Sequence, residues 1–439
     1  MRLRIPRWLY PGMHLKRWLL LIFVGVAVLG LGGAVFLIDF YRGRALDEVP
    51  IVYWLTGAWL DRPVRAAILG GFGIFVLGIG VWGLMRSIVS PFVTRGDSVM
   101  EVLYTKRYLA RGPRIVAIGG GTGLSNLLRG LKGYSSNITA VVAVADDGGS
   151  SGRLRNQLGI IPPGDIRNCI AALADAEPLM TQLMQYRFPS GSGLDGHAFG
   201  NLFIAAMTAV TGDFEEAVRE SNRVLAVRGQ VLPATSVPLN LSATLRSGRR
   251  IHGQALLGKA DEPIDEVIIE PRDVRANPEA LERILEADMI VIGPGSLFSS
   301  VLPNLLISDI RDAVTAAAGM KVYVCNVATQ PGETDAFSAA EHLEVLFEHV
   351  GAEIADYVLI NRNVHARPPH DWQGHLVEVD DRRLETLPAV IVEEDLIDED
   401  NAHRHDPVKL AATLMRLLQE DQVDRPRQRR VRRQPARAG

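Results

Sequence analysis

Hydrophobic residues follow two different patterns along this chain. Near the N-terminus they form two long stretches, residues 18–38 with 21 uncharged positions and residues 66–85 with 20. A helix needs about 20 apolar residues to cross the roughly 30 Å hydrocarbon core of a membrane. The pattern therefore predicts two transmembrane helices. Because Asp39 and Arg42 follow the first stretch where a cleavable signal would have small residues, we expect the stretch to be retained.

From residue 112 onward, the hydrophobic stretches are short and alternate with helical patterns. Five of them are predicted as strands, at residues 114–118, 138–145, 289–292, 322–326 and 357–361. Short apolar strands that alternate with helices are typical of a parallel sheet covered on both faces. The expected fold class is therefore α/β, with a doubly wound parallel sheet that follows a two-helix transmembrane hairpin.

The remaining patterns predict an insertion and a C-terminal helix. Residues 165–228 have a mostly helical pattern, and residues 240–254 are predicted to form a β-hairpin that turns at Ser247 and Gly248. The last helix is expected near residues 407–419. The chain then divides into a membrane anchor at 1–90, a linker at 91–111, a large domain at 112–420 and a basic, disordered tail at 421–439.

A glycine-rich turn follows the first predicted strand, at residues 119–123. Glycine lets the backbone approach a ligand closely, and the start of the following helix favours negative charge. The turn is not a standard dinucleotide fingerprint, because Leu124 or Asn126 replaces the third glycine of G-x-G-x-x-G, depending on the register. It also lacks the lysine of a P-loop. We predict a nucleotide or phosphate site, with a tight strand-to-helix turn as the alternative.

A second glycine-rich turn follows the second predicted strand. Asp146 and Asp147 stand where doubly wound folds place the acid that binds a ribose, and they could also hold Mg²⁺ beside a phosphate. Residues 148–152 include two serines and could form an anion-binding nest. The alternative is an Asp-Gly turn with a helix cap and a solvated arginine.

Four later segments repeat this arrangement, at residues 162–168, 196–201, 293–300 and 327–334. In the first of them, Asp165 is the predicted N-cap of a helix and Arg167 can reach a phosphate with two hydrogen bonds. Loops at the carboxyl ends of the strands of an open α/β sheet meet in one crevice. The sequence therefore predicts a single ligand site built from distant segments.

The candidate residues are assigned to three roles. Asp146, Asp147 and His197 are the candidates for catalysis, and Asp146 with Asp147 for a metal. His197 can equally be a hydrogen-bonded loop histidine, and Asn326 and Thr329 can simply cap a strand. The residues predicted to bind the ligand are Gly120, Gly121, Thr122, Gly123, Asp146, Asp147, Gly149, Ser150, Ser151, Gly152, Arg153, Asp165, Arg167, Asn168, His197, Asn201, Gly293, Gly295, Ser296, Asn326 and Thr329.

Six ordered motifs resemble those of the YvcK family of bacterial proteins, which is related to the CofD family of 2-phospho-L-lactate transferases. They are GGGTG, DDGGSSGRLR, PPGDIRN, GHAFGNL, GPGSLFSS and CNVATQPGET, and the resemblance covers about residues 112–420. It implies a Rossmann-like fold, UDP-sugar binding, and a role in cell-wall and cell-shape control during growth on gluconeogenic carbon sources. CofD members transfer a phospholactyl group from a guanylated donor to a deazaflavin with Mg²⁺, so such a transferase is the alternative.

Basic residues set the expected orientation in the membrane. Five precede the first apolar stretch, four lie between the stretches, and six follow the second up to residue 114. Both ends are therefore expected in the cytoplasm, in a multi-pass protein of the cell membrane. Residues 51–60 are apolar and aromatic but too short to cross, which suits a segment in the outer interface.

Composition and net charge narrow the range of partners. Cys169 and Cys325, the only two cysteines, indicate neither a zinc site nor a disulfide framework. With a net charge of −3, nucleic acid is not the expected partner, although residues 425–439 contain seven arginines and no acid. We expect this tail to be solvated or to contact anionic lipids of the membrane. The sequence leaves the oligomeric state open, with a homo-oligomer as one alternative.

Overall fold

The computed structural model describes residues 15–42, 61–89, 108–175, 177–366 and 373–432. The chain forms two compact units, Met1–Lys106 and Arg107–Gly439. The interfacial segment predicted at residues 51–60 and most of the predicted linker lie outside the described residues.

Within its described residues, the first unit contains two helices, Leu15–Arg42 and Arg62–Val89. Both include a segment long and apolar enough to cross a membrane, with a mean hydropathy of 2.0 and 2.1. The helices pack through glycines, because a Cβ on Gly25 would lie 2.8 Å from the backbone nitrogen of Leu77. Small residues at a helix contact allow such close approach. The two predicted helices are confirmed as helices.

The part of the second unit that the structure describes contains ten strands. They are β1 Ile115–Gly119, β2 Ile138–Val142, β3 Gln230–Pro233, β4 Asn240–Leu245, β5 Arg250–His252, β6 Ile264–Glu270, β7 Met289–Ile292, β8 Met320–Val324, β9 Tyr357–Asn361 and β10 Val390–Glu394. Seven of them form a sheet in the order β10-β9-β8-β7-β1-β2-β3, in which every pairing is parallel. The other three form an antiparallel sheet in the order β5-β4-β6. The predicted α/β, Rossmann-like fold is confirmed.

Helices connect the strands and cover the sheet. In chain order the α-helices are Gly121–Leu131, Gly149–Leu158, Gly164–Leu173, Glu177–Gln185, Phe199–Thr211, Phe214–Val224, Gln254–Leu257, Pro278–Glu286, Leu302–Leu305, Ser308–Ala316, Ala339–Val350, Asp381–Leu384 and Pro407–Arg432. Short 3₁₀ segments lie at Leu109–Arg111 and Ala352–Ile354, and a π-helical turn lies at Leu297–Val301.

Hydrophobic periodicity explains where the core lies. Strands β1, β2 and β7 are buried at every position, as expected for parallel strands covered on both faces. Helix Gly121–Leu131 buries Leu124, Leu127, Leu128 and Leu131, which recur with the spacing of one helix face. This pattern is visible in the sequence, and all five predicted strands are present in the structure.

The insertion agrees with the sequence prediction. The stretch from 165 to 228 is mostly helical, and strands β4 and β5 form the predicted hairpin. Gly248 has a φ of +84° in its turn, a conformation that glycine adopts without strain.

The C-terminal prediction was wrong in its boundary. The last helix begins at Pro407, as expected, but it continues to Arg432, so the segment expected to be disordered from residue 421 is helical that far. Its apolar side buries Leu410, Leu414 and Leu418. Arginine and glutamine are good helix formers, so the polar end can continue a packed helix. A charge-rich composition alone does not distinguish a helix from a disordered tail.

The last helix meets the first helix of the sheet domain at a glycine. A Cβ on Gly130 would lie 1.9 Å from the carbonyl oxygen of Pro407 and 2.8 Å from the side chain of Ala411. The backbones therefore touch where a side chain would separate them. This contact fixes the start of the last helix, and with it the loop that precedes Pro407.

Replacing Gly130 should test this contact. We predict that Gly130→Ala lowers the free energy of unfolding by about 1–3 kcal/mol, the usual cost of overpacking a close contact. Gly133→Ala is the matched control, since its Cβ would meet only the carbonyl oxygen of Gly130, at 3.4 Å. Chemical denaturation of the two variants measures the difference, and equal stability would argue against a contact that fixes the last helix.

Candidate functional site

A cavity of about 290 Å³ opens at the carboxyl ends of β1, β7 and β8. Four loops line it. Residues 120–123 follow β1, residues 294–300 follow β7, residues 326–330 follow β8, and residues 403–405 precede the last helix. The three strand-end loops were predicted to meet in one crevice, and the structure brings them together there. The fourth loop was not predicted.

Glycines allow the loops after β1 and β7 to touch. Gly121 has a φ of +64° and begins a helix, so the helix N-terminus faces the cavity. A Cβ on Gly123 would lie 2.6 Å from the carbonyl oxygen of Pro294. Gly295 has a φ of +156°, which other residues rarely adopt. The glycines at 121, 123 and 295 are therefore needed to shape the cavity.

Asn326 joins the loop after β8 to the loop after β7. Its side-chain oxygen accepts a hydrogen bond from the nitrogen of Gly295 at 3.1 Å, and its side-chain nitrogen donates to the Gly295 oxygen at 2.8 Å. In the same loop, Ser296 Oγ accepts from the nitrogen of Ser299 at 3.0 Å. Gly295, Ser296 and Asn326 all line the cavity, as the sequence predicted.

Asp165 has a different role from the predicted N-cap. The helix begins at Gly164, so Asp165 lies in its first turn, and its carboxylate accepts from the backbone of Gly121. The carboxylate is turned toward the start of another helix, which the spacing could not reveal. Burial of the carboxylate and the nearby charge of Asp146 raise the pKa of Asp165 to about 6. Part of the residue is exposed to the cavity that it lines.

Asp146 and Asp147 point to different partners. Asp146 Oδ1 accepts from the nitrogen of Gly148 at 3.0 Å, whereas Asp147 Oδ1 accepts from the nitrogen of Ala255 at 2.9 Å, at the start of a short helix. The charge of Asp146 acts on Asp165. Within the described residues, no three His, Cys, Asp or Glu side chains cluster as metal ligands. The joint metal site of Asp146 and Asp147 stays a prediction.

The serines of the second glycine-rich turn join two helices. Ser150 Oγ lies 3.1 Å from His197 Nδ1 and accepts from the nitrogen of Ala198 at 3.2 Å. Asn201 Nδ2 donates to Ser151 Oγ at 3.2 Å. These bonds connect Gly149–Leu158 to Phe199–Thr211 and lie apart from the residues that line the cavity. Their predicted contact with the ligand stays a prediction.

Two arginines, Arg153 and Arg167, place positive charge near His197 and Asp165. Burial and the positive charge of Arg153 lower the pKa of His197, which favours the neutral imidazole. The predicted role of His197 at a phosphate stays a prediction. Arg153 Nη2 donates to the carbonyl of Asp195 at 2.7 Å. Arg167 is 9% exposed and donates from Nη2 to Asn168 Oδ1 at 3.1 Å. Its positive charge lies close enough to act on Asp165.

Four further predicted residues shape the loops. Gly293 has a φ of +78° directly after β7, and Gly149 has a φ of +50° at the start of its helix. Thr329 is 2% exposed, and its hydroxyl accepts from the nitrogen of His375 at 2.9 Å. Thr329 therefore holds a neighbouring loop rather than facing the cavity. A Cβ on Gly152 would lie 1.9 Å from the carbonyl oxygen of Asp147, which accounts for glycine there.

The structure adds residues that the sequence analysis missed. Arg404 is exposed and lines the cavity beside His405, which is buried. His405 Nε2 lies 3.1 Å from the carbonyl oxygen of Cys325, and burial lowers the His405 pKa to about 4. Asn126 donates to the carbonyl of His405 and so connects this loop to the first helix. The only sequence signal was a run of histidines and an arginine before the last helix, without glycine.

Comparison with known proteins places these features in a family. The family model described as "2-phospho-L-lactate transferase CofD" matches residues 115–397. The "Gluconeogenesis factor" of Bacillus subtilis strain 168 is 45% identical over 317 residues, covering 71% of this chain and 100% of that protein. A Nostoc sp. strain PCC 7120 protein, with gluconeogenesis factor in its name, is 45% identical over 433 residues and covers 93% of this chain.

A solved structure agrees with the fold. The crystal structure of a UPF0052 family protein from Bacillus halodurans superposes with a TM-score of 0.65 at 43% sequence identity. The superposition covers 70% of this chain and 99% of the Bacillus halodurans chain. The YvcK resemblance inferred from six motifs is therefore confirmed at the level of family and fold.

Asp165 should make the stability of the domain depend on pH. Because its folded-state pKa is raised to about 6 from 3.8, ionisation costs folding free energy above that range. We predict that Asp165→Asn is more stable than the natural protein at pH 7.5, by up to about 3 kcal/mol for a shift of roughly two units. The gain should disappear as the pH falls to 4, where the carboxyl is protonated in the folded state.

Denaturation at pH 4.0, 6.0 and 7.5 measures this effect. Asp312→Asn is the control, since Asp312 is largely exposed and pairs only with the neighbouring Arg311 at the surface. A gain of the same size at every pH would show that the Asp165 carboxylate is not desolvated in the folded protein.

Proposed function

Because the chain belongs to the CofD family, in the group of gluconeogenesis factors and UPF0052 proteins, we propose that it binds a nucleotide-sugar in the crevice described above. The ligand we favour is a UDP-sugar, and the downstream role is regulation of cell shape, the cell envelope and carbon metabolism. The observation that supports binding is the convergence of three strand-end loops, a helix N-terminus and Arg404 on one cavity.

The chemistry of the cavity suits a ligand with a charged and an uncharged part. The backbone N–H groups of Thr122 and Gly123 and the guanidinium of Arg404 are donors of the kind that bind phosphate. The loops after β7 and β8 contribute hydroxyl and amide side chains, including Ser296 and Asn326. These neutral groups suit the hydroxyls of a sugar. A diphosphate joined to a sugar would therefore match the donors on one side of the cavity and the neutral side chains on the other.

We also propose that the domain is anchored to the cell membrane. Two apolar helices of sufficient length precede it, and the alignment with the Nostoc protein covers 93% of the chain. The alignment with the Bacillus subtilis protein covers 100% of that protein but 71% of this chain, so the rest of this chain has no counterpart there. A nucleotide-sugar is a cytoplasmic metabolite, which agrees with the orientation expected from the basic residues.

The second candidate is a CofD-like transferase of a phosphorus-containing group, favoured by the family model that matches residues 115–397. Asp165 lines the crevice and the charge of Asp146 acts on it, so these two carboxylates are the ones that would hold a magnesium ion, which typically takes one or two carboxylates together with phosphate oxygens. Such an ion would offset negative charge on the leaving phosphate. The residues of the first loop would bind the nucleotide in either function.

A ligand screen with a matched arginine variant tests the proposal. A UDP-sugar at 100 times its dissociation constant should add about 2.7 kcal/mol to the stability of the domain. We predict that Arg404→Ala raises that dissociation constant about tenfold or more, the scale of losing a hydrogen bond to a charged group. Arg382→Ala, which changes an exposed arginine of another helix, should have no effect.

The competing ligands define the other outcomes. GDP with a deazaflavin, and NAD, are measured in the same screen. Stabilisation by GDP with deazaflavin, together with a product, would establish the transferase instead. If no nucleotide stabilises the protein, nucleotide binding fails as its function.

Membrane topology is tested with reporter fusions. A reporter that is active only in the cytoplasm should give signal when it is fused after residue 90 and after residue 439, and no signal near residue 50. Signal from the residue 50 fusion alone would invert the orientation and place the crevice outside the cytoplasm.

A further inference from the structure

A buried carboxylate lies behind one wall of the crevice. Glu333, in the loop after β8, is 5% exposed. Ser296 Oγ donates to its Oε2, while Ser299 Oγ and Gln330 Nε2 each lie 3.0 Å from its Oε1. Ser296, Ser299 and Gln330 line the cavity, and Glu333 lies behind them. These four residues are called the acceptor wall below.

The carboxylate sets the direction of the hydrogen bonds in this wall. A hydroxyl has one hydrogen, and an ionised carboxylate only accepts. The hydrogen of Ser296 is used by Glu333, and its oxygen lies 3.0 Å from the nitrogen and 2.6 Å from the Oγ of Ser299. The single hydrogen of Ser299 is directed at Glu333 or at Ser296, which leaves the oxygen of Ser299 to accept from a ligand. Gln330 gives an amide hydrogen to Glu333, so its carbonyl oxygen is left to accept. The wall therefore presents acceptors to the cavity.

The charge behind the wall excludes a second anion. Burial raises the pKa of Glu333 above its ordinary value, and hydrogen bonds from Ser296, Ser299 and backbone N–H groups act against that rise. Because Ser296, Ser299 and Gln330 all place donors on its two oxygens, the geometry favours the ionised carboxylate. A phosphate placed against the wall would meet acceptors with a carboxylate directly behind them. A neutral group that donates hydrogen bonds, such as a sugar hydroxyl, suits it instead. The donors proposed for phosphate lie on the other loops, at Thr122, Gly123 and Arg404.

We propose that Glu333 is a positioning residue that orients Ser296, Ser299 and Gln330 to bind the uncharged, hydroxyl-bearing part of an anionic ligand. This inference rests on the proposed function, and it adds which wall holds the sugar and which group gives that wall its polarity. Glu333 acts through the three side chains in front of it and does not itself contact the ligand. The acceptor wall is therefore what separates a nucleotide-sugar from a bare diphosphate.

The test compares two ligands on one substitution. Calorimetry of the full chain in detergent measures the dissociation constants of UDP-glucose and of inorganic pyrophosphate. Glu333→Gln should weaken the binding of UDP-glucose about tenfold, because the serine hydroxyls of the wall lose the carboxylate that orients them. Pyrophosphate should bind equally well or more tightly, because a negative charge has been removed. A purely structural role would weaken both ligands together.

Two further variants keep the test decisive. Ser299→Ala removes one hydroxyl of the wall and leaves the carboxylate, so it should show the same selectivity with a smaller loss, even if Glu333→Gln does not fold. Glu341→Gln is the matched control, since Glu341 also accepts from a serine, Ser338, but in a helix capping box outside the cavity. It should change neither affinity.

The inference and the proposed function fail in different ways. If the natural protein binds no nucleotide-sugar, the function fails, and the wall is then judged by pyrophosphate alone. A lower pyrophosphate affinity in Glu333→Gln would overturn the inference, and an equal or higher affinity would support it. If UDP-glucose binds the natural protein, equal loss of both ligands, or unchanged UDP-glucose affinity in both wall variants, would overturn it.

Discussion

The contact between the loop after β1 and the loop after β7 is the constraint on which the crevice depends. The two strands are neighbours in a parallel sheet, so both loops leave the same edge. A side chain at Gly123 would collide with the carbonyl of Pro294, and the side chain of the fully buried Asn304 donates to the carbonyl of Gly119 at 3.0 Å. The loops are held backbone to backbone, which keeps the start of the helix at Gly121 and the serines of the loop after β7 at the cavity.

Two carboxylates place negative charge in the crevice and directly behind one of its walls. Asp165 occupies the helix N-terminus at Gly121, and Glu333 stands behind the serines of the loop after β7. An anionic ligand of the proposed kind would therefore be drawn toward Arg404 and the N–H groups of Thr122 and Gly123, while its neutral part would face the acceptor wall. Division of the cavity by charge gives a physical reason for a ligand with two chemically different ends.

Sequence patterns predicted the fold better than the details of the site. Buried strands such as β7 are continuous apolar runs, and glycine at positions such as 121 marks a turn, so both were visible in the sequence. Thr329 and Asp165 were placed in the right loops, but the direction of a side chain depends on tertiary neighbours. Arg404 was missed because its loop carries no glycine signal, and its position follows from packing of the last helix on Gly130.

Hydrogen exchange of the full chain, with and without saturating UDP-glucose, tests most directly whether the four loops form one ligand site. Binding in the crevice predicts protection of residues 121–123, 295–300, 326–330 and 403–405 together. A second cavity of about 390 Å³ lies at the start of β1 and β2, lined by Arg114, Asn137 and Gln230. Protection confined to that cavity, with the four loops unchanged, would contradict the assignment.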